Sequence, residues 1–154
     1  MAKVLFIDNL QGIIDSFRYD IELDHHTVIE ALNVKSAREQ LNAHSDIDVI
    51  VLDMSIPEDE MGSESPEIGL NFLKYLTKNH NTPVIMLTAM GGESYRQKAL
   101  DLGAYDYVGK SEDRGTLRAR IKNAVSEGVK SLENICLKAG MYPGQSEAFQ
   151  KYMK

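Results

Sequence analysis

The chain has 154 residues, of which 43% are apolar and 26% charged, and this composition fits one soluble domain with a buried core. The formal net charge of −6 and the lack of a basic stripe argue against a direct nucleic-acid partner, and the single cysteine, Cys136, excludes an intrachain disulfide and a cysteine-based zinc site. No apolar run is long enough to span a membrane and the N-terminus does not resemble a cleavable signal, so we expect a cytoplasmic protein without membrane contact.

Short apolar runs alternate with segments of helical spacing along the chain. The runs are predicted strands at residues 4–7, 28–32, 49–52, 84–87 and 105–108. The helical stripes between them contain Ile13, Ile14, Phe17 and Ile21, then Ala37 and Leu41, then Leu70, Leu73 and Leu76, then Tyr95, Ala99 and Leu102, with Gly103 as a stop. This alternation predicts an α/β fold, a doubly wound five-stranded parallel sheet with helices on both faces.

Two segments extend this minimal pattern. Residues 58–67 hold five acids and no base, lack periodicity and contain breakers, so they predict an exposed loop. A fifth helix keeps its apolar spacing over residues 113–139, about 40 Å at 1.5 Å per residue, although Gly128 can divide it into two helices. The later residues of this stripe, Val129, Leu132 and Ile135, need cover from their own domain, from the tail or from a second chain.

Polar side chains follow four of the predicted strands at the point where each strand ends. They are Asp8, Asn9, Asp53, Thr88 and Lys110. Singly, each is explained as a turn, cap or surface residue, but in an open parallel sheet all five fall at one edge. Acidic and amide oxygens there suit Mg²⁺, and a carboxylate beside a cation, a lysine and a hydroxyl is a competent nucleophile toward a phosphoryl group.

Four motifs in this order resemble the receiver domain of two-component response regulators, over roughly residues 3–126. They are "VLFIDN" with its acidic turn, "VIVLDMSIP" with Asp53 as the acceptor, "PVIMLTAM" with Thr88 as a switch hydroxyl, and "GAYDYVGK" with Tyr107 as a switch aromatic and Lys110 as the family's lysine. The resemblance implies a flavodoxin-like strand order 2-1-3-4-5. It also implies phosphorylation of Asp53 by a histidine kinase or phosphotransfer protein, in a signalling domain that is not an enzyme.

The resemblance further implies a role for each site residue. Asp53, Lys110 and Thr88 would carry the phosphoryl chemistry, and Thr88 and Tyr107 would switch a protein-interaction surface. The cofactor would be Mg²⁺, held by Asp8, Asn9, Asp53 and the backbone carbonyl of Ser55.

The sequence departs from the family pattern near this site. Asn9 stands where the family has a second carboxylate, so we expect weaker metal binding, and one hypothesis is that Glu58, Asp59 or Glu60 swings in to compensate. The family's glycine after the proline corresponds to Gly69, which leaves an insertion of about eight residues before it. Ser111 replaces the proline that usually follows the lysine in a cis peptide, which makes a trans peptide the expectation and the placement of Lys110 less secure.

These features leave several alternatives open. We expect a receiver domain at residues 1–126 and a helical extension and tail at 127–154, which can form a homodimer, meet a partner or link to an output module. A pseudo-receiver that binds partners without phosphorylation is favoured by Asn9 and Ser111. A small-molecule domain of the same architecture is disfavoured, because "IDNLQGII" lacks a glycine-rich phosphate loop.

Overall fold

The computed structural model describes residues 2–89, 93–112 and 114–138, and the side chains of residues 114 and 129–138 are left out of the description. Within these residues, strands and helices alternate throughout. The elements are β1 Lys3–Ile7, α1 Gln11–Leu23, β2 Thr27–Ala31, α2 Val34–Ala43, β3 Val49–Leu52, α3 Pro66–Asn79, β4 Val84–Thr88, α4 Glu93–Asp101, β5 Asp106–Gly109 and α5 Arg114–Lys138.

The five strands form one parallel sheet in the order β2-β1-β3-β4-β5. This confirms the predicted fold class and strand order. All four residues of β3 and all five of β4 are buried, as expected for central strands covered on both faces. Asp53, directly after β3, and Thr88, the last residue of β4, therefore stand at the rim of a buried sheet.

Side chains alternate between two apolar layers, one on each face of the sheet. One layer joins β-strand residues such as Leu5 and Ile50 to α2, α3 and α4. The other joins Val4, Phe6 and Val51 to α1 and α5. This arrangement confirms that helices cover both faces, and since each layer draws on several strands, it also locks their register.

Strand and helix ends differ from the predictions by one or two residues. β2 ends at Ala31, one residue early, and Leu32 is 40% exposed. β5 lies one residue later than predicted, at Asp106–Gly109. Gly103, with φ of 101°, follows α4 in the left-handed conformation that ends helices, as predicted.

Residues 58–65 form a mostly exposed loop, as predicted, whereas Pro66 and Glu67, predicted to lie in the same loop, begin α3 because Ser65 caps that helix. Both ends of the loop are anchored. The carbonyls of Pro57 and Glu58 accept hydrogen bonds from the first two backbone N–H groups of α2, at 3.1 and 2.9 Å. At the other end, Ser65 forms an isolated bridge with Ile56 and caps α3 through its side chain. The loop is therefore held against the same end of the sheet as the candidate site.

The fifth helix is long, as the apolar spacing predicted. Its 25 residues correspond to about 37 Å, and its backbone continues through Gly128 without a break. A bidentate ion pair, in which Arg118 donates to both oxygens of Asp24, connects this helix to the end of α1. The predicted cover for the side chains of Val129, Leu132 and Ile135, and the tail itself, lie outside what the structure describes. None of the described helices is long and apolar enough to cross a bilayer.

Gly69 is the glycine at which backbone elements approach most closely. A Cβ at this position would overlap the carbonyl group of Met54, which lies directly after Asp53. By contrast, a Cβ on Gly12 in α1 would meet nothing within 4 Å. The resemblance placed the family's glycine at Gly69, and this contact is a physical reason for it.

We predict that Gly69→Ala destabilises the protein by at least about 2 kcal/mol, because the added methyl group must displace backbone rather than a flexible side chain. The matched control Gly12→Ala should leave the stability unchanged or raise it by up to about 1 kcal/mol, since alanine favours helix. Urea denaturation of both variants measures the difference. Equal stability of Gly69→Ala and the wild type would contradict the close approach.

Candidate functional site

Backbone hydrogen bonds continue the sheet one step beyond the strands and hold three of the predicted site residues. The Asp8 N–H donates to the last carbonyl of β2 at 3.0 Å, and the Asp53 N–H donates to the last carbonyl of β1 at 2.9 Å. The Lys110 N–H donates to the last carbonyl of β4 at 2.9 Å. The three main chains are therefore fixed by the same ladder that builds the sheet.

The side chains of these three residues converge. Lys110 Nζ lies 2.7 Å from Asp8 Oδ2 and 3.1 Å from Asp53 Oδ2. Asp8 is fully buried, Asp53 is 5% exposed, and the lysine side chain is 12% exposed. The Lys110–Ser111 peptide is trans, so the missing proline does not prevent the lysine from reaching both carboxylates.

Each carboxylate is also oriented by a nearby backbone N–H group. Asp8 Oδ1 accepts a 2.9 Å hydrogen bond from Leu10 N–H at the start of α1. Asp53 Oδ1 accepts a longer one, 3.3 Å, from Ser55 N–H. Asp8 Oδ2 meets the lysine as an ion pair without a well-directed hydrogen bond from the described residues. Both oxygens of the buried Asp8 thus contact other groups of the protein, whereas Asp53 lies slightly closer to solvent.

The site carries more negative than positive charge. Burial and the neighbouring charge of Asp8 raise the pKa of Asp53 to about 6, against the opposing effect of Lys110. Burial alone would lower the pKa of Lys110, but its contacts with Asp8 and Asp53 outweigh burial and raise it. The lysine therefore stays protonated, and one ammonium group faces two carboxylates.

This imbalance fits a divalent cation. Mg²⁺ prefers oxygen ligands, needs few from the protein and keeps several waters. Among the described residues, no three acidic, histidine or cysteine side chains form a metal cluster. A site at this position would therefore rely on Asp8 and Asp53, completed by neutral oxygens such as the amide of Asn9 and the backbone carbonyl of Ser55.

Asn9 has a partner that the sequence did not suggest. Its Nδ2 donates to Oε2 of Glu64, in the acidic loop, at 2.5 Å. The hypothesis that Glu58, Asp59 or Glu60 compensates at the metal site concerns a different role and stays a prediction; the Asp59 carboxylate accepts from Met61 N–H within its own loop. The sequence showed that the loop is acidic, but no spacing pattern indicated that Glu64, rather than another of its acids, would contact Asn9.

Of the predicted switch residues, Thr88 adjoins the site, since its carbonyl accepts from the Lys110 N–H, and Tyr107 lies three residues before Lys110 on β5. Thr88 ends β4 and is buried, and Tyr107 lies half-buried in β5. Burial, and secondarily Tyr95, raises the pKa of Tyr107. Both residues line a polar groove of about 400 Å³ that also contains Arg96 and Arg120. The threonine thus connects the backbone of the site to a groove that Tyr107 also lines.

The comparison with protein families agrees with the resemblance seen in the motifs. A family model described as "Response regulator receiver domain" matches residues 4–122. The receiver domain of the Francisella response regulator 1452 superposes with a TM-score of 0.71 at 28% identity, covering 82% of this chain and 98% of that one.

Curated relatives include two regulators of Escherichia coli strain K12. "Transcriptional regulatory protein CpxR" is 34% identical over 122 residues, which covers 79% of this chain and 48% of that protein. "KDP operon transcriptional regulatory protein KdpE" is 31% identical over 125 residues, which covers 81% of this chain and 52% of that protein. The chain thus spans about half the length of these two relatives.

The raised pKa of Asp53 predicts a pH-dependent stability difference. Because the folded-state pKa of about 6 lies above the ordinary value of 3.8, the folded protein holds this proton more tightly than the unfolded chain, and stability is lost as pH rises through that window. Asp53→Asn removes the unfavourable free energy of ionising a buried carboxylate beside Asp8. Without divalent cations, the variant should therefore be more stable than wild type by about 1–3 kcal/mol near pH 7.5.

Urea denaturation with a chelator present, at acid and neutral pH, measures this effect. The advantage of Asp53→Asn should shrink as the pH falls from about 6 toward 3.8, and it should be lost below 3.8, where the carboxyl group is protonated in both states. Glu60→Gln, which removes an exposed carboxylate, should show no such trend. A variant Asp53→Asn that is less stable than wild type at neutral pH would contradict the charge imbalance.

Proposed function

Since the chain belongs to the response regulator receiver family, we propose that Asp53 accepts a phosphoryl group from a histidine kinase or phosphotransfer protein. Receiver domains of this family receive phosphate from histidine kinases and act as signalling domains. The observation that supports the proposal is the ammonium group of Lys110, which lies within 3.1 Å of both Asp8 and Asp53.

In the proposed step, a carboxylate oxygen of Asp53 attacks the phosphorus of a phosphohistidine. A P–O bond forms, the P–N bond breaks, and its electron pair stays on the imidazole nitrogen, which takes up a proton. Lys110 keeps its own proton and neutralises charge on the transferring oxygens. Asp8, fully buried, does not compete for the phosphoryl group because it is held by Lys110 and Leu10 N–H.

The residues around Asp53 also suit the family's cofactor. When bound, Mg²⁺ supplies positive charge that offsets the phosphoryl oxygens. We assign its ligands to Asp8, Asp53, the amide oxygen of Asn9 and the backbone carbonyl of Ser55. The two buried carboxylates that outnumber the single ammonium group support this assignment.

The proposed output is a change at the groove beside Thr88 and Tyr107. A phosphoryl group on Asp53 brings new acceptor oxygens, toward which the Thr88 hydroxyl can donate. Movement of this threonine alters the space beside Tyr107, which lies half-buried in β5. The exposed surface formed by α4, β5 and α5 then differs between the two states.

We further propose that the receiver domain spans residues 1–126 and that 127–154 form an extension. The packed face of α5 supports this division, because Leu117, Ile121 and Ala124 are buried against the sheet. The helix backbone then continues to Lys138. A homodimer through this extension is a further proposal that depends on residues beyond 128.

The proposal is tested with acetyl phosphate and Mg²⁺. Wild-type protein should gain the mass of one phosphoryl group, and Asp53→Ala should gain none because the acceptor oxygen is missing. Intact-mass spectrometry measures the modification, and Asp59→Ala is the control for loss of an acidic side chain in the exposed loop. A pseudo-receiver predicts no modification of wild type with any phosphodonor, which would refute the acceptor function.

The switch is tested with Thr88 variants. Thr88→Ala should still be phosphorylated on Asp53 but should lose most of the phosphorylation-induced NMR shift change at Tyr107, since no hydroxyl remains to bind the phosphoryl oxygens. Thr88→Ser keeps the hydroxyl and should retain most of the change. A full response of Tyr107 in Thr88→Ala would contradict the role of the hydroxyl.

A further inference from the structure

We propose that Glu64, in the acidic loop, is a positioning residue for the divalent cation. Its carboxylate holds the amino end of the Asn9 amide, so that the amide oxygen remains available as a cation ligand. The inference rests on the proposed function, since it concerns the Mg²⁺ site beside Asp53. It goes further by assigning a role to a loop residue that the motifs do not contain.

The contact between these residues sets the direction of the amide. Asn9 Nδ2 lies 2.5 Å from Glu64 Oε2, and the two residues are 55 positions apart in the chain. A hydrogen bond to a carboxylate is shorter and stronger than one between neutral groups. The reversed amide would place its oxygen against the carboxylate, where neither group has a proton to donate. Glu64 therefore selects one of the two amide orientations.

The loop brings Glu64 to this position because it is anchored on either side. Glu64 directly precedes Ser65, whose N–H donates to the Ile56 carbonyl at 3.3 Å and whose side chain caps α3. The start of the loop is fixed by the carbonyls of Pro57 and Glu58 at the N-terminus of α2. Glu64 is thus attached next to a fixed point of the fold rather than at the centre of a free loop.

The contact between Asn9 and Glu64 matters because Asn9 stands where the family has a second carboxylate. A neutral amide is a weaker cation ligand than a carboxylate and binds only through its oxygen. Groups that hydrogen-bond to metal ligands orient them, and their loss typically costs about 10–100-fold in affinity. Because Glu64 itself is exposed, its charge is screened by solvent, so orientation of Asn9 is its main contribution.

Calorimetric titration of the unphosphorylated, full chain with MgCl₂ tests this role. Glu64→Ala should weaken Mg²⁺ binding by about ten-fold, the lower end for a partner of a metal ligand. Glu64→Gln keeps a side-chain oxygen that can accept from Asn9 and should recover most of the affinity. Glu67→Ala removes another exposed acid, three residues further along in the first turn of α3, and should change the affinity by less than about two-fold.

An Asn9→Asp background shows whether the effect passes through Asn9. Aspartate has no amino group for Glu64 to hold, so adding Glu64→Ala to Asn9→Asp should produce no loss of Mg²⁺ affinity. Three results would each overturn the inference: wild type that binds no Mg²⁺, equal losses in Glu64→Ala and Glu67→Ala, or a Glu64→Ala loss that persists beside Asn9→Asp.

The mass of the same variants after acetyl phosphate treatment separates this inference from the proposed function. If Asp53 is modified in wild type but Glu64→Ala binds Mg²⁺ normally, the acceptor function stands and the role of Glu64 fails. If the predicted Mg²⁺ affinities are found but Asp53 is never modified, the role of Glu64 stands and the acceptor function fails. Urea denaturation without Mg²⁺ should show equal stability for wild type and Glu64→Ala, because the contact is exposed.

Discussion

The ammonium group of Lys110 holds together a site that would otherwise be unstable. Two buried carboxylates, Asp8 and Asp53, face the same point, and their mutual repulsion in a dry environment is costly. The lysine lies within 3.1 Å of both and compensates only part of this charge. The raised pKa of Asp53 reflects the burial and the repulsion from Asp8 that the lysine does not offset. The site is therefore built to receive further positive charge, and this property connects its stability with its proposed chemistry.

The packing of the parallel sheet stabilises the fold enough to hold these charged side chains together. Apolar layers on both faces fix the register of the strands, and the ladder hydrogen bonds continue one residue further to Asp8, Asp53 and Lys110. Residues that are 45 and 57 positions apart along the chain thereby have their backbones held at the same edge of the sheet, and only the Lys110 side chain has to reach across. Most of the entropy of bringing them together is offset by core packing rather than by the charged contacts themselves.

Much of this could be predicted from the sequence because parallel strands end at one edge. Five apolar runs were enough to predict the architecture, and the residues after them identified Asp8, Asp53 and Lys110 as neighbours. The partner of Asn9 could not be predicted, because Glu64 reaches it through anchors of the loop on α2 and Ile56. Such contacts follow from loop geometry, which leaves no periodic pattern. The missing proline after Lys110 suggested a misplaced lysine, but the ladder bond to β4 holds its backbone independently of that peptide.

The same charge balance implies that cation binding and phosphorylation depend on one another. A phosphoryl group on Asp53 would add about two negative charges beside a fully buried Asp8 that is already only partly neutralised. A cation that lowers this cost must, by thermodynamic linkage, bind more tightly to the phosphorylated form. A residue that changes the affinity of the cation site would then also change the equilibrium extent of phosphorylation. In the proposed site, the neutral Asn9 would weaken that coupling and Glu64, which holds its amide, would restore part of it, so the acidic loop would adjust the extent of phosphorylation without changing the acceptor.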